Sequence, residues 1–196
     1  MIKANITNHY SSHINKCSYS DKSIFIADYT EQTKTSLTKK GVELFFQNPP
    51  TDIDVFSLIN NANLNTGSIV FDNTSFVYSN GNPRSQCECV IFPTTANTDS
   101  WILFTELKYS NKDYNNGNNL RKAINQLYKT RTYYFQKGIF GITNTCYLLA
   151  SLPMQAEPFA NFSLPPAKMQ SLKLKYNIVL RLKNSAEIID DENILV

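Results

Sequence analysis

Along this chain the spacing of apolar residues changes character near Gly67. Before it, Leu37, Gly41, Leu44 and Phe45 recur at helical spacing behind Thr35 or Ser36 as N-cap, which predicts a helix over 36–47 that stops at Pro49 and Pro50. Thr51 and Asp52 are placed to cap a short helix carrying Ile53, Phe56 and Ile59. Ile24, Phe25 and Ile26 predict a short strand, and the remainder of the first thirty residues carries no clear period.

After Gly67 the residues become β-branched and aromatic, punctuated by turn formers. GSIVFDNTSFVYS (67–79) predicts a straight or bent strand, NGNP (80–83) a turn, CECVIFP (87–93) a second strand, and WILFTELKY (101–109) a third, so that 67–109 forms an antiparallel meander. Leu120, Ala123, Ile124, Leu127, Tyr128, Tyr134 and Phe135 then mark one face of a helix over 118–137, and TCYLLASLP (145–153) reads as a strand beyond a crossover. In SLKLKYNIVLRLK, alternation places Leu172, Leu174, Tyr176, Ile178, Leu180 and Leu182 on one face of a strand or hairpin, with Lys173, Lys175, Arg181 and Lys183 opposite.

These elements describe one mixed α+β (α/β) domain spanning 1–196, with a strand extension at 170–184 and an acidic tail at 187–196. Hydrophobic residues at 42% and charged residues at 18% exclude a disordered or coiled-coil chain. No run approaches the roughly 20 apolar residues of a membrane span, and MIKANITNHYSSHINKC lacks the apolar centre of a signal peptide, so the expected compartment is the cytoplasm. Charge is unevenly placed. Residues 1–107 carry 7 Lys and Arg against 10 Asp and Glu, residues 108–186 carry 12 against 2, and the last ten carry 0 against 4. The basic middle is what a polyanion-binding surface needs, although a solvated lysine-rich face has the same composition.

The informative feature is a pair of acids inside apolar strands. Alternation in WILFTELKY puts Glu106 and Lys108 on the face of Ile102 and Phe104; in CECVIFP it puts Glu88 with Val90 and Phe92, and Cys87 with Cys89 on the other side as core thiols. A hairpin centred on Asn97 pairs Phe92 with Ile102, Val90 with Phe104 and Glu88 with Glu106. Cross-strand β-carbons lie roughly 4.5–5.5 Å apart, so the two carboxylates would repel unless Lys108 and a divalent cation balanced them. A trio of solvated or lysine-paired charges on an exposed face is the alternative.

An acid in one strand followed 18 residues later by an apolar strand ending in Glu-x-Lys resembles the PD-(D/E)xK nuclease superfamily, which has the restriction-endonuclease-like fold, and the order of helix, three meandering strands, helix and strand is similar to that family's core over about 36–152. That resemblance implies magnesium (or manganese) held by Glu88, Glu106 and the backbone carbonyl of Leu107, with Lys108 orienting or deprotonating the attacking water. It also implies an accessory helical acid, for which Glu43 is the candidate. Gln126 opens QLYKT, similar to the Gln-x-x-x-Tyr pattern of some branches, with Thr130 where the tyrosine would stand. Phosphate contacts are expected from Lys112, Arg121, Lys122, Lys129 and Arg131. Glu43 with Lys39 and Lys40 also fits a surface ion pair, and Lys122 with Gln126 a solvated helix face. His9, His13 and Cys17, spaced by four, would align as zinc ligands only on a helix, which the surrounding Asn and Ser do not favour.

The expectation is thus a magnesium-dependent nuclease acting on DNA, with RNA and a homodimer left open and no membrane partner. Its rivals are a non-catalytic nucleic-acid or protein binding module on the same fold, and an interaction protein whose acids are surface charges.

Overall fold

The computed structural model describes residues 1–32 and 41–196. In chain order these form α1 (Ile2–His9), α2 (Ser11–Ile14), β1 (Ser18–Ser20), β2 (Ile24–Asp28), a helical turn α3 (Tyr29–Gln32), β3 (Val42–Phe46), β4 (Phe56–Ile59), β5 (Thr66–Val70), β6 (Cys89–Pro93) and β7 (Ile102–Leu107). A 3-10 turn at Asp113–Asn115 leads into α4 (Asn116–Gln136), followed by β8 (Cys146–Ser151), α5 (Pro166–Tyr176), β9 (Ile178–Leu182), β10 (Ser185–Ile188) and β11 (Ile194–Leu195).

The strands make two mixed sheets, one of six strands in the order β1-β5-β6-β7-β8-β9 and one of five in the order β11-β10-β4-β2-β3. The expected meander is present: β5, β6 and β7 pair antiparallel, and β8 returns parallel to β7 after α4. On one face of the six-stranded sheet, Val90, Phe92, Ile102 and Phe104 pack with Leu120, Ala123, Leu127 and Tyr134 of α4. On the other, Cys89, Ile91, Trp101, Leu103 and Leu107 meet Ile24, Ile26, Phe56 and Leu58 of the smaller sheet. The domain is therefore three layers, helix on sheet on sheet. β7 and β8, covered on both faces, are buried at every position, which explains why they read as nearly continuous apolar runs.

Three expectations are corrected. The helix over 36–47 is absent where the chain is described: 42–46 is β3, whose Leu44, Phe45 and Phe46 pair with Ile26, Phe25 and Ile24, and residues 36–40 lie outside the described residues. The apolar spacing here matched a helix by coincidence, while Val42, Phe45 and Phe46 are strand formers with a partner waiting. The short helix after Pro50 is likewise replaced by β4, which sits between β2 and β10.

The third correction concerns SLKLKYNIVLRLK, whose first half ends helix α5. Pro165 and Pro166 start that helix, Lys173 and Lys175 lie in its last turn, and Asn177 closes it in the left-handed conformation at φ 51°. The chain turns there from helix to strand, so Leu174 and Tyr176 are 76% and 54% exposed while Ile178 and Leu180 are buried.

A helix also forms where none was expected, at the N-terminus, because Ile2 and Ile6 seat it on the main core. His13, in α2, is buried among Phe71, Phe76 and Tyr134 instead of facing a metal. Its Nε2 lies 2.8 Å from the Ser75 carbonyl, which can only accept, so Nε2 carries the proton and Nδ1 accepts from the Tyr134 hydroxyl at 2.9 Å. Among the described residues no helix is long and apolar enough to cross a membrane.

Two measurements check this architecture. Phe104→Ala, which empties a site beside Tyr134 and Phe140, is expected to cost about 3–5 kcal/mol in urea unfolding, and Leu174→Ala to stay within about 0.5 kcal/mol. A costly Leu174→Ala would restore the buried strand.

Burial holds the His13 imidazole below its ordinary value near 6.5, so the unfolded chain takes up this proton first as the pH falls. Stability is expected to decline from about pH 6.5 downward, and His13→Gln to flatten that slope; a wild-type profile level from pH 7 to 5 would contradict the assignment.

Candidate active site

β2, β5 and β7 end, and β3 and β6 begin, at the same edge of the two sheets. There they enclose a cleft of about 530 Å³ whose lining includes Asp28, Asp72, Glu88, Lys108, Lys122 and Gln126. Glu106 lies in β7 beside it. Its Oε1 is 2.6 Å from Lys108 Nζ, with the Glu106 side chain fully buried and that of Lys108 7% exposed. The pair forms because residues two apart on a strand share a face, as alternation requires.

The strand register is the expected one: Cys89 pairs with Thr105, Val90 with Phe104 and Ile91 with Leu103. Glu88 departs from it. Its N–H donates to the carbonyl of Thr105 at 3.1 Å, so Glu88 and Cys89 both fall opposite Thr105 and the strand bulges there. The ladder therefore does not set Glu88 directly across from Glu106. The bulge also breaks the alternation that was to put Cys87 and Cys89 on one side: Cys87 packs under α4 and Cys89 between the sheets. Both are core thiols. Burial pushes the Cys89 thiol up to about 12 against the opposing effect of its bond to Thr105, and burial followed by the Glu106 charge raises Cys87.

Upstream of the bulge the chain is tied to α4. The Cys87 N–H donates to Thr130 Oγ1 at 2.8 Å, and Gln126 Nε2 donates to the Gln86 carbonyl at 2.8 Å. Thr130 thus occupies the expected tyrosine position with a positioning role of its own. Gln126 Oε1 is buried without a hydrogen-bond partner among the described residues.

Two acids of the cleft were not anticipated. Asp28, the buried last residue of β2, accepts the Thr30 N–H at 2.9 Å, and its own N–H donates to the Tyr109 hydroxyl, which in turn donates to the Asp54 carbonyl. Burial, with the charges of Asp28, Asp54 and Glu88, keeps that phenol strongly protonated despite its bond to the Asp28 backbone. Asp72 accepts from Lys16, Thr74 and Ser75, and the Lys16 ammonium at 2.6 Å holds its carboxyl well below the usual range. The one sequence cue to Asp28 was its place at the end of an apolar strand, the same cue that singled out Glu106.

Of the remaining candidates, Lys122 reaches the cleft and Gln126 borders it, whereas Glu43 sits in β3 opposite Ala27 and does not line it. Arg121 lies over the Phe162 ring at 5.8 Å, and Arg131 over Phe135 at 4.2 Å and Phe140 at 5.6 Å, so these cations rest on aromatic faces away from the acids. Lys129 is exposed, and Lys112 is exposed near Tyr114. Among the described residues no group of three or more His, Cys, Asp or Glu side chains is arranged to hold a metal ion. Comparison of the chain with family models, curated proteins and solved structures gives no match.

The energetic weight of the buried pair is open to measurement. Lys108→Met and Glu106→Gln are each expected to cost on the order of 3 kcal/mol, and the double variant less than their sum by about 1–3 kcal/mol, because the second change removes the group that the first left poorly matched. Strict additivity would mean that the two charges do not support each other.

Proposed function

We propose that this protein is a metal-dependent nuclease of the PD-(D/E)xK type that hydrolyses phosphodiester bonds, with DNA as its first substrate. The observation that carries this reading is a Glu-x-Lys pair, buried at the end of a central strand, opening onto a cleft that also holds Glu88 and Asp28. Burying two charges costs several kcal/mol per ion, and the attraction between them rarely exceeds that cost, so the pair is better explained by chemistry than by stability.

The donors suit magnesium, being all hard oxygens. Glu88, Glu106 and the Leu107 carbonyl would hold the ion, with Asp28 as a further carboxylate in the same cleft. When bound, the ion supplies charge for the phosphoryl oxygens and lowers the pKa of an attacking water.

The chain's own groups have separable tasks. Lys108, ion-paired with Glu106, offers hydrogen-bond donors and no acceptor in its charged form. It orients the attacking water through that water's lone pair and stabilises negative charge growing on the phosphoryl group. Glu88, half-buried and in the cleft, offers a carboxylate oxygen to the water's proton. Lys122 draws the phosphate backbone toward the acids. Tyr109 and Thr130 position these groups by fixing the backbones of Asp28 and Cys87.

A non-catalytic binding module is the second reading. It is favoured by the absence of a three-acid group among the described residues and by the mutual neutralisation of Glu106 and Lys108.

Incubation of the purified protein with plasmid, linear duplex and single-stranded substrates separates the two. Cleavage is expected with millimolar magnesium or manganese and none in EDTA, and Glu88→Gln, Glu106→Gln and Asp28→Asn are each expected to lower the rate at least 100-fold in protein with an unchanged circular dichroism spectrum. Binding without turnover under all metal conditions would favour the module.

A further inference from the structure

The segment 77–84 presents a ring and a cation that the site described above does not use. Val77 and Pro83 bridge, the Tyr78 N–H donates to the Asn82 carbonyl and the Gly81 N–H to the Tyr78 carbonyl, each at 2.9 Å. This small closed hairpin holds Tyr78 in the open, 53% exposed. The Arg84 guanidinium lies over the Tyr78 ring at 5.2 Å and over the buried Tyr133 ring at 4.2 Å. Arg84 forms no ion pair with an acid among the described residues. An exposed aromatic ring with a guanidinium lying over it, and no acid paired to that guanidinium among the described residues, matches a ligand that is both flat and anionic.

Its position ties it to the cleft. Residues 84–88 run along α4: the Tyr133 hydroxyl donates to the Ser85 carbonyl at 3.2 Å, Thr130 takes the Cys87 N–H, and Gln126 bonds to Gln86. Tyr133 and Gln126 are seven residues apart on the helix, about 10 Å along its axis. Arg84 and Glu88 are four positions apart in sequence, at most about 14 Å of extended chain. A strand whose phosphate lies at Glu88 and Lys108 therefore reaches Tyr78 within a few nucleotides.

We propose, resting on the nuclease reading, that the substrate is nucleic acid with unpaired bases next to the scissile phosphate, one base stacking on Tyr78 while Arg84 takes a neighbouring phosphate. In a duplex the base faces are covered by their neighbours, and only an unpaired strand offers one to the ring.

The test is equilibrium binding in EDTA, which needs no turnover, with fluorescein-labelled 12-nucleotide probes: single-stranded DNA, single-stranded RNA, blunt duplex, and a single strand with abasic positions at its centre. Single strands are expected to bind more tightly than the duplex. Tyr78→Ala should weaken single-strand binding about 5- to 100-fold, the range for loss of one stacked base, while leaving duplex binding unchanged. Tyr78→Trp should retain it, and the abasic probe should be insensitive to Tyr78→Ala. Arg84→Gln should flatten the salt dependence of single-strand binding by about one unit of slope. The DNA and RNA probes distinguish the sugar and both outcomes agree with the proposal. Equal affinity for duplex and single strand, or a Tyr78→Ala protein that binds single strands as the wild type does, overturns it. If magnesium-dependent cleavage of duplex persists in that case, the nuclease reading survives and the unpaired-strand proposal alone fails; if no probe binds and nothing is cut, both fail.

Discussion

The ion pair between Glu106 and Lys108 is the constraint around which the rest of this fold is arranged. Unit charges about 4 Å apart at an effective dielectric of about 20 attract by roughly 4 kcal/mol, about the scale of what their removal from water costs. Such a pair survives only where its geometry is tightly held. β7 supplies that by being central: it has an antiparallel neighbour on one side, a parallel neighbour on the other, a helix above and a second sheet below. Phe104 and Ile102 fill the helix side below Glu106, and Leu107 anchors the opposite face. Every layer of the domain touches this strand.

Much of this was readable beforehand, because strands buried on both faces write themselves as long apolar runs. The meander, the long helix, the returning strand and the register that pairs Val90 with Phe104 all followed from the residues. What was not readable came from partners distant in sequence. β3 and β4 are short segments whose pattern fits either element, and the choice is made by β2 and β10, the latter more than a hundred residues away. In SLKLKYNIVLRLK the alternation was real but spanned a boundary, and Asn177 was the residue that could have revealed it.

The candidate site divides along the same line. Glu106 and Lys108 share one strand, so local alternation was enough to join them. Asp28 belongs to the other sheet and reaches the cleft only because the two sheets pack through Ile24 and Ile26. Glu88 was identified, but its exact facing depended on one extra residue that no pattern announces. Arg121 and Arg131 were grouped with Lys122 by charge, and their rings, Phe162, Phe135 and Phe140, direct them elsewhere.

The bulge at Glu88 has a mechanical meaning. On its far side, Gln86 and Cys87 are fastened to α4, while Glu106 and Lys108 ride on the sheet. The acid is thus positioned from the helix side as well as from the sheet, while the ion pair is positioned by the sheet alone, and one irregular step in a strand separates the two. The distance between the two carboxylates is therefore set by how α4 seats on the sheet as much as by the strand ladder, so a change in the packing of that helix, even far from the cleft, bears on the site.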